Sequence, residues 1–124
     1  MMTGLHHIAI LASDRAVSLA FYEALGFRVV SCHPRPERQD EIIFMEQSGV
    51  MLELFISRGN PARLSGPEAY GLRHVAFRTE DAAAFREMLL QRGYSPEPLR
   101  RDALTGEAMF FVKDPDGLPV EIHE

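Results

Sequence analysis

At 124 residues the chain is long enough for one domain with a real core. Its net charge of −5, from 18 Asp and Glu against 13 Lys and Arg with no basic run, excludes the electrostatic footprint of a nucleic-acid binder. A single cysteine, Cys32, excludes an internal disulfide and a thiolate zinc site, and no apolar run is long enough to span a membrane.

In chain order, residues 5–12 (LHHIAILA) predict a strand that is apolar on both faces. The opening "MMTGLHH" lacks the apolar core of a secretory signal, which makes the cytoplasm the expected location. Asp14 is a helix N-cap. Val17, Ala20, Phe21, Ala24 and Leu25 then recur at helical spacing, and Gly26 stops the helix. Strands follow at 27–32, 41–46 and 50–56. They are broken by "PRPERQ", which reads as a loop beside His33, and by a turn at Ser48–Gly49. "SRGNPARLSGPEAYG", rich in Gly and Pro, reads as a linker over 58–71. Beyond it come a strand at 72–78, a helix at 81–92 ending at Gly93, and strands near 97–101, 107–113 and 118–123. "DPDG" before the last strand is a tight turn: Asp side chains bond the backbone, Pro sets φ, and Gly takes the left-handed position.

One unit is thus written twice. His7 and His74 stand 67 positions apart, as do Asp14 and Asp81, and Gly26 and Gly93. Glu53 and Glu121 stand 68 apart, so one residue has been inserted in a loop between these points. The expected fold class is α+β: a single domain, 1–124, of two tandem βαβββ units (1–57 and 72–124) whose half-open mixed sheets surround a site.

Strand alternation says which residues face that site. Ile8 and Ile10 point one way, and His7, Ala9 and Leu11 the other. Val75 and Phe77 oppose His74, Ala76 and Arg78. In the last strands Leu52 and Leu54, or Val120 and Ile122, share the apolar face. Glu53 and Glu121 share the other face with Met51, Phe55 and His123. Helices covering the apolar faces would leave one His and one Glu on each open face. A lone strand His is usually structural and a lone strand Glu usually solvated. The same two types kept twice, on faces otherwise apolar or small, point instead to a divalent metal: Ni, Zn, Co, Mn or Fe. Two His and two Glu on a six-coordinate ion leave two positions for water or substrate.

"HHIAILASD", "FYEALGF", "LELF", "LRHVAF" and "DPDGLPVEI" resemble the vicinal oxygen chelate superfamily over nearly the whole chain. The resemblance implies two βαβββ units around a divalent metal, with His7, Glu53, His74 and Glu121 as ligands. It implies nickel or zinc first, then cobalt, manganese or iron. The full four-residue set resembles glyoxalase I and methylmalonyl-CoA epimerase more than three-ligand or metal-free members. Both enzymes move a proton beside an oxygen held by the metal. Glu121 is then the expected base and Glu53 the second candidate, while Arg78, His123 and Phe55 are candidates for touching substrate. Leu11 and Ser57 stand where glutathione-using members carry Arg and Asn, which argues against glutathione itself. The resemblance further implies a small-molecule substrate and a homodimer in which each metal site is shared between chains or held within one. A methylmalonyl-CoA-type epimerase and a non-catalytic binding or resistance protein of the same fold stay open as alternatives. His6, whose copy is Arg73, is rejected as a ligand, and Arg35, Arg38, Arg58 and Arg63 are placed in loops.

Overall fold

The computed structural model describes residues 1–124, which fall into two compact units, Met1–Pro61 and Ala62–Glu124. In the first unit the elements are β1 (Ile8–Ala12), α1 (Arg15–Ala24), β2 (Arg28–Arg35), a 3-10 turn at Pro36–Arg38, β3 (Asp40–Gln47) and β4 (Val50–Ile56). The second unit holds β5 (Val75–Arg78), α2 (Ala82–Gln91), β6 (Arg100–Arg101), β7 (Ala108–Lys113) and β8 (Pro119–His123). Each unit forms one mixed four-stranded sheet, ordered β1-β4-β3-β2 and β5-β8-β7-β6. The first pair of each sheet is parallel and the rest antiparallel. The fold is therefore α+β with a βαβββ unit repeated in tandem, as the sequence pattern predicts.

Both helices start where an aspartate caps them. Asp14 accepts from the Val17 amide at 3.0 Å and Asp81 from the Ala84 amide at 2.8 Å, each satisfying one orphan donor of the first turn. Gly26 follows α1 at φ 101°, a left-handed conformation that strains any residue with a Cβ, and a Cβ there would also displace the end of the Gln47 side chain, 2.7 Å away. The buried stripe of α1 is Ser18, Leu19, Phe21, Tyr22 and Ala24, with Leu25 just beyond; Val17 and Ala20, which the spacing assigned to it, are exposed. The stripe runs through the Phe21–Tyr22 pair, and that phase turns Val17 out to solvent. Arg15 ties α1 to β3 through Glu41 at 2.9 Å. In α2, Leu89 is fully buried and the Phe85 ring lies against Phe110 of β7.

Period-2 alternation sets the core. Ile10, Ala12, Ile43, Met45, Leu52 and Leu54 are buried in the first sheet, and Phe110, Val112, Val120 and Ile122 in the second. Burying each large side chain of this kind stabilises the fold by about 1.5–3 kcal/mol. The inserted residue lies in the turn between β7 and β8. Phe44 pairs with Glu53 in one hairpin and Phe111 with Glu121 in the other, so the register survives the insertion. Buried Asp114 absorbs it by accepting from the amides of Asp116 and Leu118, both at 2.9 Å.

Several strand limits differ from expectation. The strands expected at 5–12 and 72–78 begin at Ile8 and Val75. The residue facing His74 would be Pro119, which has no N–H to extend the ladder. The strand expected at 97–101 shrinks to Arg100–Arg101, because Pro96 and Pro98 remove donors just before it. β2 instead runs on to Arg35, through a bulge between Val29 and Ser31 and through Pro34, which an edge strand tolerates. His33 and Arg35 therefore lie in a strand, not in a loop. No helix is long and apolar enough to cross a membrane.

Candidate metal centre

Register puts each glutamate at the middle of its open face. Glu53 lies between Ala9 on β1 and Phe44 on β3, and Glu121 between Ala76 on β5 and Phe111 on β7. The alanines leave room beside each carboxylate, and the rings wall its other side. His7 and His74, one residue before β1 and β5, reach across to them. His7 Nε2 is 2.8 Å from Glu53 Oε2, and His74 Nε2 is 3.0 Å from Glu121 Oε2. Side-chain exposure is 37% and 14% in the first pair, and 28% and 10% in the second. Both pairs are thus sheltered but reachable.

Only the His7 imidazole is held through its other nitrogen. His7 Nδ1 hydrogen-bonds His6 Nδ1 at 2.8 Å, and with His7 as donor its Nε2 keeps a lone pair. His74 Nδ1 is buried without a hydrogen-bond partner, and its ring stands edge-on to Phe111 at 5.1 Å, so Nε2 is the atom it offers. Two donors sharing an ion with bonds of about 2.1 Å stand about 3 Å apart at right angles, and both His/Glu pairs have that separation. The donor chemistry, imidazole with carboxylate, fits a divalent transition metal.

The remaining candidates surround these pairs. His123, on β8 two residues after Glu121, has Nε2 3.2 Å from Asp102 Oδ2 and 3.9 Å from Glu121 Oε1. It is raised above the usual imidazole range, first by the main-chain oxygen of Glu124 and then by Asp102. Asp102 is lowered, first by the Leu104 amide and then by His123. Phe55, half-buried, lies under the Arg35 guanidinium at 5.4 Å. Arg35 is clamped by both oxygens of Asp40 at 2.7 and 2.6 Å, and Glu53 adds to the charges that hold it protonated. Arg78 is exposed opposite His123 in the β5–β8 register. Ser57 bonds the Asn60 side chain, and Leu11 is exposed beside Phe55. In the second unit His74 also lines a cleft of about 680 Å³ with Leu64, Tyr94, Arg100, Phe111 and Lys113.

Sequence reasoning did not single out Asp102, and it did not place Arg35 or His6 beside these pairs. Asp102 sits in a loop whose contact with β8 no spacing encodes. Arg35 was assigned to a loop because of the prolines around it. His6 touches His7 and not the glutamate, so a search for ligands passes it over; its adjacency to His7 was the available signal.

Relatives agree with the fold. A glyoxalase family protein from Enterococcus faecalis, known from its crystal structure, is 46% identical, with a TM-score of 0.92 and 98% of each chain covered. The uncharacterized protein YwkD of Bacillus subtilis is 40% identical over 126 residues, spanning 100% of this chain and 98% of its own. The ethylmalonyl-CoA/methylmalonyl-CoA epimerase of Cereibacter sphaeroides is 27% identical over 135 residues, spanning 100% of this chain and 99% of its own. Residues 4–122 match the family described as the Glyoxalase/Bleomycin resistance protein/Dioxygenase superfamily, and the chain belongs to that superfamily, the one its motifs resemble.

Proposed function

We propose that the chain is a metal-dependent lyase or isomerase of the glyoxalase I type. It moves a proton beside a carbonyl or hydroxyl oxygen of a small substrate, such as the hemithioacetal of a thiol with methylglyoxal. The observation that supports this most is the copied pair: on the open face of each sheet, a His Nε2 and a Glu Oε2 stand 2.8 or 3.0 Å apart beside a small alanine. His7, Glu53, His74 and Glu121 would hold one divalent ion, nickel or zinc before cobalt, manganese or iron. One His/Glu pair comes from each unit, either of one chain or of two chains in a homodimer. Such an ion supplies Lewis-acid stabilisation of negative charge on a substrate oxygen.

The chain's own residues do the rest. Glu121 takes a proton from one carbon through Oε1, the oxygen turned away from His74, and returns a proton to the neighbouring carbon. Glu53 is the second candidate for this role. Phe111 and Phe44 keep one flank of each carboxylate dry, which strengthens its hold on a proton in transit. The cleft beside His74 receives the body of the substrate, with Arg100 and Lys113 free of carboxylate partners at its wall. His123, Arg78 and Phe55 are the candidates for contacting it.

The test is metal content by elemental analysis of protein purified without a metal-affinity tag, with His7→Ala and Glu53→Ala beside it. Metal bound by the wild type and diminished in both variants is the expected result. A chain that takes up no nickel, zinc, cobalt or manganese overturns the reading. An epimerase reading draws support from the full-length similarity to the Cereibacter protein. It predicts that solvent deuterium enters the α-carbon of an acyl-CoA thioester, and that the hemithioacetal is left untouched.

A further inference from the structure

Beside Glu121 the second unit carries two donors that the first unit lacks. The repeat sets Asp102 against Arg35 and His123 against Phe55. In the first unit those places hold a guanidinium stacked on a ring and closed off by Asp40. In the second they hold a carboxylate and an imidazole. With Glu121 these form a group whose three ligand atoms all lie within 4.8 Å of one another.

What holds each residue defines the atom it turns toward the other two. Asp102 Oδ1 accepts from the amides of Leu104 at 2.7 Å and Thr105 at 3.3 Å, which leaves Oδ2. His123 Nδ1 donates to the main-chain oxygen of Glu124 at 2.6 Å, which leaves Nε2. Glu121 Oε2 faces His74, which leaves Oε1. These three atoms face one another, with His123 Nε2 paired to Asp102 Oδ2 at 3.2 Å and 3.9 Å from Glu121 Oε1, and the Thr105 hydroxyl stands 3.3 Å from the same Nε2. A histidine whose Nδ1–H is fixed on a carbonyl while Nε2 faces carboxylates has the orientation that metal-ligating histidines adopt. Two carboxylates and one imidazole suit zinc or manganese in charge and donor type. Glu121 is buried while Asp102 and His123 are half-buried, so the group is sheltered yet open to an entering ion.

We infer that Asp102, Glu121 and His123 form a second divalent-cation site, contained in the second unit and sharing only Glu121 with the His/Glu set. Glu121 then presents Oε2 toward His74 and Oε1 toward this site, so an ion bound here withdraws Oε1 from proton transfer. The inference stands on the second unit alone and does not need the four-ligand reading.

The experiment is Zn²⁺ binding to metal-stripped full-length protein. Calorimetric titration and elemental analysis would be run on the wild type, Asp102→Asn, His123→Gln and His7→Ala, with circular dichroism to check folding. Two equivalents per chain in the wild type, one in Asp102→Asn and in His123→Gln, and one in His7→Ala is the expected result. One wild-type equivalent, lost in Asp102→Asn and His123→Gln but kept in His7→Ala, supports this site while the four-ligand reading fails. Unchanged stoichiometry and affinity in Asp102→Asn and His123→Gln overturns it, whatever His7→Ala does. His123→Gln leaves the Asp102 turn intact, so it reads the site even where Asp102→Asn does not fold.

Discussion

Glu53 and Glu121 occupy copied positions, yet their neighbours differ, and so should their substitutions. Glu53 lies near a guanidinium already committed to Asp40, whereas Glu121 has the His123–Asp102 pair against its outer oxygen. If Glu121 carries the proton, Glu121→Gln lowers turnover of the hemithioacetal by about 10²-fold or more, within the usual reach of general acid–base catalysis. Full activity in steady-state assays of that variant would remove it from the role. A second residue-scale prediction concerns the Arg35–Asp40 pair. The Arg35 guanidinium holds the Asp40 carboxyl below its ordinary value of 3.8. The folded state therefore binds that proton less readily than the unfolded state. The pair's contribution to stability is complete above the ordinary value and is lost as pH falls below it. Urea unfolding of wild type against Asp40→Asn should show a wild-type advantage at pH 7 that shrinks as pH falls below 3.8. The paired histidines and glutamates were legible in the sequence because alternation along a strand names a face. Asp102 and His6 were not, because each acts by touching a neighbour across a loop or beside it in the chain.

At the scale of elements, the turns carry more specificity than the strands. Ser48 at φ 47° and Gly49 at φ 79° make the two-residue turn between β3 and β4, a geometry that favours Asn-Gly. Ser48→Asn should stabilise the protein by about 0.5 kcal/mol, the low end for compatible local changes, measurable as a rise in the thermal midpoint. An unchanged or lower midpoint would mean that the hairpin tolerates serine without strain. The longer turn at Asp114–Gly117 shows the alternative device, a buried carboxylate bonded to two amides ahead of it. Element order, both N-caps and both hairpins could be read from the sequence. Strand ends could not, since they depend on which partner residue has an N–H to give. The limits at Pro119, Pro96 and Pro98 are of that kind. The phase of α1 was also hidden, because Val17 and Leu19 are equally apolar and only packing chooses between them.

At the scale of the molecule, every ladder closes within its own unit. All six strand pairings join strands of the same half, and the boundary at Pro61 and Ala62 falls outside every helix and strand. The order of the halves along the chain is therefore not written into any backbone hydrogen bond. A circular permutant that begins at Ala62 and returns to Met1 through a flexible joint would keep all the pairings intact. Two genes, each encoding one half, would supply the same strands when expressed together. The duplication has left a chain in which each half carries a complete four-stranded sheet of its own.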